Sequence, residues 1–382
     1  MCPAGYELKW ACLGPNSQHL LHLPFSIHRS LMSAASLPLG ESVVSQPSVA
    51  SSKTRTHLGI LDFLRGFAAL AVCLFHFSSG TNLTKFYSSH LAHGFSWGYL
   101  GVEVFFVISG FVIPYSLYNT SYQLREFGRY FSKRVARICP PAYVNILLIL
   151  GQWLVIDHFL HHNMARIGAI TAPQVESNLL FIVPFTHSHW FNGVFWTLAL
   201  EFQFYIVVGL LFNKLFTAPS LARFLVISLA LSALRYFPGL PQENYFAYNS
   251  LFMMGGATLL YFKGAFHLRD YLVVLAVFAF VASMVLSPVA MLFGLVTALL
   301  IAFVKVQHPL FAFFGKISYS LYLTHFLVGS TTEFIISRFF HPTTELGNVG
   351  AISVCAVVAF CTAYGFFVLV EKPFIKLAKR FF

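Results

Sequence analysis

The chain has 382 residues, of which 57% are apolar, 17% aromatic and only 10% charged, with a mean hydropathy of +0.72. Soluble domains carry about 25% charged residues, so a soluble globular protein is excluded and an integral membrane protein is expected. The net charge of +11 then needs no nucleic acid to explain it: part is topological, and part can attract anionic headgroups or a polyanionic substrate.

Residues 1–52 are rich in Ser, Pro, Leu and His, hold no sustained period and lack the order of a signal peptide. They are expected to be a disordered cytoplasmic lead or an over-extended start, with Met32 as a later start. Beyond them, charge-free runs such as 177–200, 244–262, 271–304 and 346–370 approach or exceed the roughly 20 residues that span a bilayer as helix. They do not alternate as barrel strands do. The fold class expected is all-α: a polytopic membrane bundle with spans at 59–79, 98–118, 138–158, 195–215, 221–237, 246–262, 270–286, 289–306, 317–337 and 349–370. As one helix, 271–304 would be about 51 Å long, against a hydrocarbon core of about 30 Å. Ser287-Pro288 therefore marks a hairpin of two short helices. With both termini cytoplasmic, the inner segments hold seventeen Lys and Arg and the outer loops four, the expected positive-inside bias.

The first span, "LDFLRGFAALAVCLFHF" at 61–77, carries Asp62, Arg65 and His76. Ionisable groups in hydrocarbon are costly and mark protein interiors or wet sites. Arg65 and His76 are eleven residues apart, three turns to within about 20° and a rise of about 16 Å. They share a face, and Asp62 on the next stripe can pair with Arg65. Arg65 is either a snorkelling anchor or functional; His76 is either a satisfied core donor or a functional imidazole.

The second span, "GYLGVEVFFVISGFVIP", places Glu103 at about the depth of His76, with Ser109 and Gly110 near the middle. Its glycines permit close helix approach, which leaves Glu103 unexplained; a carboxylate near His76 could orient the imidazole. In "LREFGRYFSKRVARICPPAYV", Arg129, Lys133, Arg134 and Arg137 cluster before the third span. They form either an ordinary inner loop or a phosphate site, for which Arg is suited.

Between the third and fourth spans, His158, His161, His162, His187 and His189 offer HxxHH and HxH spacings. Without a clear acid or Cys set no metal site is expected. Glu201 in "VFWTLALEFQFYIVVG" is a second carboxylate able to pair with His76. In "FGKISYSLYLTHFLVG", Lys316 opens the ninth span, and Ser318, Tyr319, Tyr322 and His325 form either a polar lining of the same interior or ordinary core hydrogen bonds. The six cysteines form no CxxC pair and read as small hydrophobes. No Gly-rich phosphate loop, GxSxG or HExxH is present.

Taken in order, "LDFLRGFAALAVCLFH", "GVEVFFVISGF" at 101–111, "FSKRVARICPPAY" at 131–143, "WTLALEFQFY" at 196–205, "GKISYSLYLTH" at 315–325 and the closing "VEKPF" at 370–374 resemble the acyltransferase-3 family of multispanning O-acyltransferases. The one departure noted is Phe63, where the family commonly has Gly. The resemblance covers about 58–375, so that 53–382 is expected to be the transmembrane domain. It implies a ten-span enzyme of the bacterial inner membrane. Such an enzyme moves an acyl group, most often acetyl, from cytoplasmic acyl-CoA to a hydroxyl of a glycan or lipid-linked saccharide, such as an exopolysaccharide or lipopolysaccharide sugar. Acyl-CoA is then a co-substrate, with no resident cofactor or metal. Arg129, Lys133, Arg134, Arg137 and Lys316 can supply cations for the donor phosphates. His76 suits the base needed by an acceptor alcohol, Arg65 can hold the donor or an oxyanion, and Glu201 or Glu103 can hold the His tautomer. Alternatively His76 itself accepts the acyl group. The rival from another class is a secondary transporter with an Arg, Glu and His proton relay, but the first-span pattern does not recur after residue 190, as an internal repeat would require.

Overall fold

The computed structural model describes residues 50–79, 89–118, 120–160, 165–241, 244–340 and 344–381. The lead expected over 1–52, with Met32, lies almost wholly outside these residues, as do Lys85, His161, His162, Cys2 and Cys12. Ser48–Phe382 is one compact unit, and all regular structure among its described residues is helical.

Fourteen helices follow in order among the described residues: α1 Ala50–Ser79, α2 Ser89–Phe95, α3 Gly101–Tyr118, α4 Phe127–Leu160, α5 Ala165–Gly168, α6 Ala172–Leu179, α7 Phe195–Leu215, α8 Leu221–Ala233, α9 Tyr245–Phe262, α10 Leu268–Val285, α11 Pro288–Phe303, α12 Pro309–Phe339, α13 Glu345–Phe366 and α14 Lys372–Phe381. Each of the ten segments expected to span overlaps one of them. Six helical stretches, Gly59–Ser79, His90–Tyr118, Leu124–His158, Phe195–Leu215, Leu268–Val285 and Glu345–Arg380, are long and apolar enough to cross a membrane. Exposed apolar side chains such as Leu147, Leu148 and Leu154 on α4, and Phe280 and Met284 on α10, form the surface a lipid environment accepts.

Local chemistry sets the ends of these helices. Ser287 caps α11 by accepting from the Ala290 amide at 3.0 Å, with Pro288 in the first turn, a pairing that starts a helix cleanly. The turn between α10 and α11 is thus where Ser287-Pro288 pointed. Asn244 caps α9 and Thr344 caps α13 in the same way. The third span is expected from 138. In the structure α4 starts at Phe127 and runs through Pro140 and Pro141, so Arg129, Lys133, Arg134 and Arg137 lie on its first turns and not in a loop. The two prolines remove the helical donors for the carbonyls of Ala136 and Arg137.

Three pairings position the site. Helices α1 and α12 lie side by side and run the same way: Gly315 sits against the backbone of Asp62, Gly66 against Phe314, and Gly329 against the Phe77 ring. Helix α4 joins them through Tyr319 Oη, which donates to the Ile138 carbonyl at 2.8 Å, and Asn145 Nδ2, which donates to the Leu323 carbonyl at 3.0 Å. Helices α3 and α9 cross at Gly110 and Gly255. A π turn, Phe367–Glu371, ends α13 and leads into the basic amphipathic α14, which packs on α4.

Candidate active site

Helix α1 carries one end of the candidate site at Asp62 and Arg65 and the other at His76. His76 is half-buried, with Phe75 and Phe326 packed edge-on to its ring. Its Nδ1 lies 2.9 Å from the Val72 carbonyl oxygen and 3.2 Å from Nε2 of His325. His325 is fully buried, and its Nδ1 lies 2.8 Å from the Tyr322 carbonyl. Tyr322 in turn shares a hydrogen bond with Thr197 at 2.9 Å, which ties α12 to the first turn of α7.

The other end gathers charges from four helices and the π turn. Arg65 is within electrostatic range of Arg137, Glu201 and Asp62, and Asp62 also feels Lys316. Ser109 donates to Glu201 Oε1 at 3.3 Å, and Tyr205 donates to the same oxygen at 2.7 Å. Arg134 donates to the Ser116 hydroxyl, and its guanidinium lies 5.7 Å from the ring centres of both Tyr130 and Tyr205. Hydrogen bonds and cation–π contacts therefore link Arg134, Tyr205, Glu201 and Ser109 in one chain. Glu371 is buried; it accepts from Ser320 Oγ at 2.5 Å and feels the charges of Arg137 and Arg65. Past Tyr130, which packs against Tyr122, a cavity of about 630 Å³ opens, lined in part by Tyr118, Tyr122, Gln123, Phe212 and Asn213.

Residues 172–194, between α4 and α7, pack onto α4 and α12 at Asn145 and Leu323. Asn192 is fully buried: its Nδ2 donates to Asn145 Oδ1 at 2.8 Å and to the Leu323 carbonyl at 3.1 Å, and its Oδ1 accepts from the Val194 amide. Asn178, also buried, accepts from the Phe191 amide and donates to the carbonyls of Gln174 and His189.

Of the residues expected at the site, the structure brings together Asp62, Arg65, Ser109, Arg134, Arg137, Glu201, Lys316 and Tyr319 at one end and His76, Tyr322 and His325 at the other. Several fall elsewhere. The carboxylates expected to hold the His76 tautomer do not do so, for the imidazole is engaged by Val72 and His325 and Glu201 by Ser109 and Tyr205. Glu103 is buried, with Oε2 lacking a hydrogen bond. Gly110 faces the Phe252 carbonyl of α9, a close-packed helix crossing and not a cavity wall. Ser318 returns its hydroxyl to the Gly315 carbonyl at 2.9 Å, satisfied within its own helix. Arg129 and Lys133 are exposed on α4. Among the described residues no three His, Cys, Asp or Glu side chains are grouped to hold a metal ion. Glu371, Ser320, Tyr205, Asn145 and Asn192 are additions; Glu371 stands in the sequence as the acid of the closing segment "VEKPF".

The order of these segments and their convergence on α1 match a known pattern across most of the chain. A family profile for the acyltransferase domain covers residues 58–368. The chain belongs to the acyltransferase-3 family. Relatives of this acyltransferase-3 chain include YrhL of Bacillus subtilis, 32% identical over 171 residues, which are 41% of the chain and 24% of YrhL. The peptidoglycan O-acetyltransferase OatA of Listeria monocytogenes is 29% identical over 218 residues, 50% of the chain and 32% of that protein. The O-acetyltransferase OatA of Staphylococcus aureus is 29% identical over 164 residues, 41% of the chain and 24% of that protein. The chain thus spans a quarter to a third of the length of these relatives. No solved structure matches it.

Proposed function

We propose that this acyltransferase-3 chain is a multi-pass O-acyltransferase of the bacterial inner membrane that moves an acetyl group from cytoplasmic acyl-CoA to a hydroxyl of a cell-envelope glycan. Peptidoglycan is the first acceptor to try, because a named relative carries that substrate in its name. The observation that carries the proposal is the single face of α1. At one end of it Arg65 sits among other charged groups, Arg137 included; three turns away stands a half-buried imidazole whose Nδ1 is already engaged.

Two guanidinium groups close enough to repel are stabilised by an anion. Arg65 and Arg137, with Arg134 beside them, therefore suit the charged donor. The acceptor oxygen attacks the thioester carbonyl as His76 takes its proton. The C–O bond forms, the C–S bond breaks, and the imidazolium returns a proton to the departing thiolate. An alcohol at neutral pH needs such a base, worth about 100- to 10,000-fold. Arg65, about three turns from His76, faces the donor's charged end, a positive charge set in place before the donor binds.

The test is transfer of labelled acetyl from acetyl-CoA to peptidoglycan fragments by the purified protein. His76→Ala is expected to remain folded and lose at least about 100-fold in kcat, and Arg65→Lys to raise KM for the donor. A folded His76→Ala protein that transfers acetyl at the parent rate sinks the proposal. So does substrate uptake driven by a proton gradient with no acyl transfer.

A further inference from the structure

We infer that His325 is the positioning residue that keeps the proton of His76 on Nδ1 and leaves the reactive lone pair on Nε2. This rests on the reading of His76 as the group that works on the acyl transfer, whether as base or as acyl carrier, since both routes use the same free nitrogen.

The inference follows from which atoms can face one another. His325 Nδ1 lies 2.8 Å from the Tyr322 carbonyl oxygen, and a carbonyl oxygen only accepts. That nitrogen must bear the hydrogen, because two lone pairs at this distance repel. His325 is fully buried, where an unpaired charge is costly, so the ring is neutral and its Nε2 carries a lone pair. That lone pair faces His76 Nδ1 at 3.2 Å, and the Val72 carbonyl faces the same atom at 2.9 Å. An atom held between two acceptors is a donor. His76 therefore carries its hydrogen on Nδ1, and Nε2 is left for the substrate.

His325 matters more here than Val72. The Val72 carbonyl, four residues back in α1, already accepts the His76 backbone N–H in the ordinary helical bond. The imidazole of His325 is committed to nothing else on that side, and it strengthens its hold when His76 becomes an imidazolium, because a charged donor roughly doubles the bond. Helix packing fixes the pair: Phe77, the residue after His76, lies against Gly329, four residues beyond His325. The arrangement does for this site what a carboxylate does in a Ser–His–Asp triad, but with a neutral acceptor.

The two amide side chains separate the bonds. His325→Gln places an oxygen near the position of Nε2 and can still accept from His76; His325→Asn reaches only the Nδ1 position, keeps the Tyr322 bond and misses His76. With protein carrying ¹⁵N-labelled histidine, and the His76 signal assigned by its loss in His76→Gln, the native protein is expected to show His76 protonated on Nδ1. His325→Gln should retain that form and activity within several-fold. His325→Asn should show a second, Nε2-protonated population and a fall in kcat of about 10- to 100-fold, with KM for the donor unchanged. A native spectrum with the proton on Nε2 overturns the inference whatever the variants do. Equal loss in Gln and Asn with the His76 spectrum unmoved also overturns it, since that is the signature of packing alone. Failure of the His76 reading itself shows separately, as transfer by His76→Ala, and leaves the spectrum intact.

Discussion

At the scale of single residues, the amide pair Asn145 and Asn192 shows how polar groups are held inside the bundle. Asn192 is fully buried and serves three partners, and Asn145 donates to the same Leu323 carbonyl. Removing the side chain leaves the Asn145 oxygen and the Val194 amide without their partner away from water, at a cost of about 1–3 kcal/mol. Asn192→Ala is expected to lower the thermal unfolding midpoint of the detergent-solubilised protein; an unchanged midpoint shows that residues 172–194 are held against α4 and α12 some other way. Asn192→Asp is a harsher change, because it replaces a donor with an acceptor opposite Asn145 Oδ1 and Leu323. None of this was legible in the sequence. Arg65 and His76 could be placed together because one helix fixes their spacing, whereas His76 and His325 are 249 positions apart and meet only through the packing of α1 on α12. The same holds for Glu371 and Ser320, 51 positions apart. A carboxylate was expected beside His76 by analogy with a triad, but the neighbouring helix offers an imidazole there.

At the scale of elements, the crossing of α3 and α9 depends on the absence of side chains. A Cβ on Gly110 would lie 2.0 Å from the Phe252 carbonyl oxygen, and one on Gly255 would lie 2.0 Å from that of Val107. Both obstacles are backbone, so neither can swing away, and the helices must separate. Overpacking of this kind costs about 1–3 kcal/mol or more. Gly255→Ala is expected to lower the unfolding midpoint markedly. Gly151→Ala on α4, where nothing lies within 4 Å, is expected to leave it unchanged or raised, by up to about 1 kcal/mol of helix propensity. Equal effects in the two variants would show that α3 and α9 are not locked at this point. Glycines in "GVEVFFVISGF" did announce close approach in the sequence, though not which helix approaches. Helix starts were less legible. The third span is expected from 138, with the basic run before it either an inner loop or a phosphate site, yet α4 already begins at Phe127, placing Arg134 and Arg137 on a rigid element facing Tyr205 and Glu371.

At the scale of the whole molecule, hydropathy alone undercounts the helices that line other helices. Helix α9 is almost entirely buried, and its polar Asn249 and Thr258 are paired: Asn249 donates to the Ser228 carbonyl and Ser232 hydroxyl at 2.8 Å, and Thr258 to the Met254 carbonyl. Helix α12 likewise buries Ser320, Thr324, His325 and Glu333. Such residues lower mean hydropathy without lowering fitness for a membrane interior, because their partners are protein. Helices α8 and α11 are short, about 20 and 24 Å at 1.5 Å per residue, and both pack on α9. We therefore propose ten crossings, six of them evident from apolar length, with both termini cytoplasmic. The α10–α11 hairpin decides the count, because two crossings between Lys263 and Lys305 return the chain to the side it left, whereas one crossing, or a lost crossing at α12, reverses everything after it. Single cysteines placed in a cysteine-free background at exposed Lys305 and Arg338 give the measurement. A membrane-impermeant thiol reagent applied to the outer side of the cytoplasmic membrane is expected to label Arg338→Cys, and to reach Lys305→Cys only after permeabilisation. Labelling of Lys305→Cys from outside would reverse the hairpin and move Lys316 away from any cytoplasmic donor. Protection of both positions would mean that α12 does not cross, separating His325 from the depth at which His76 must meet an outward-facing hydroxyl.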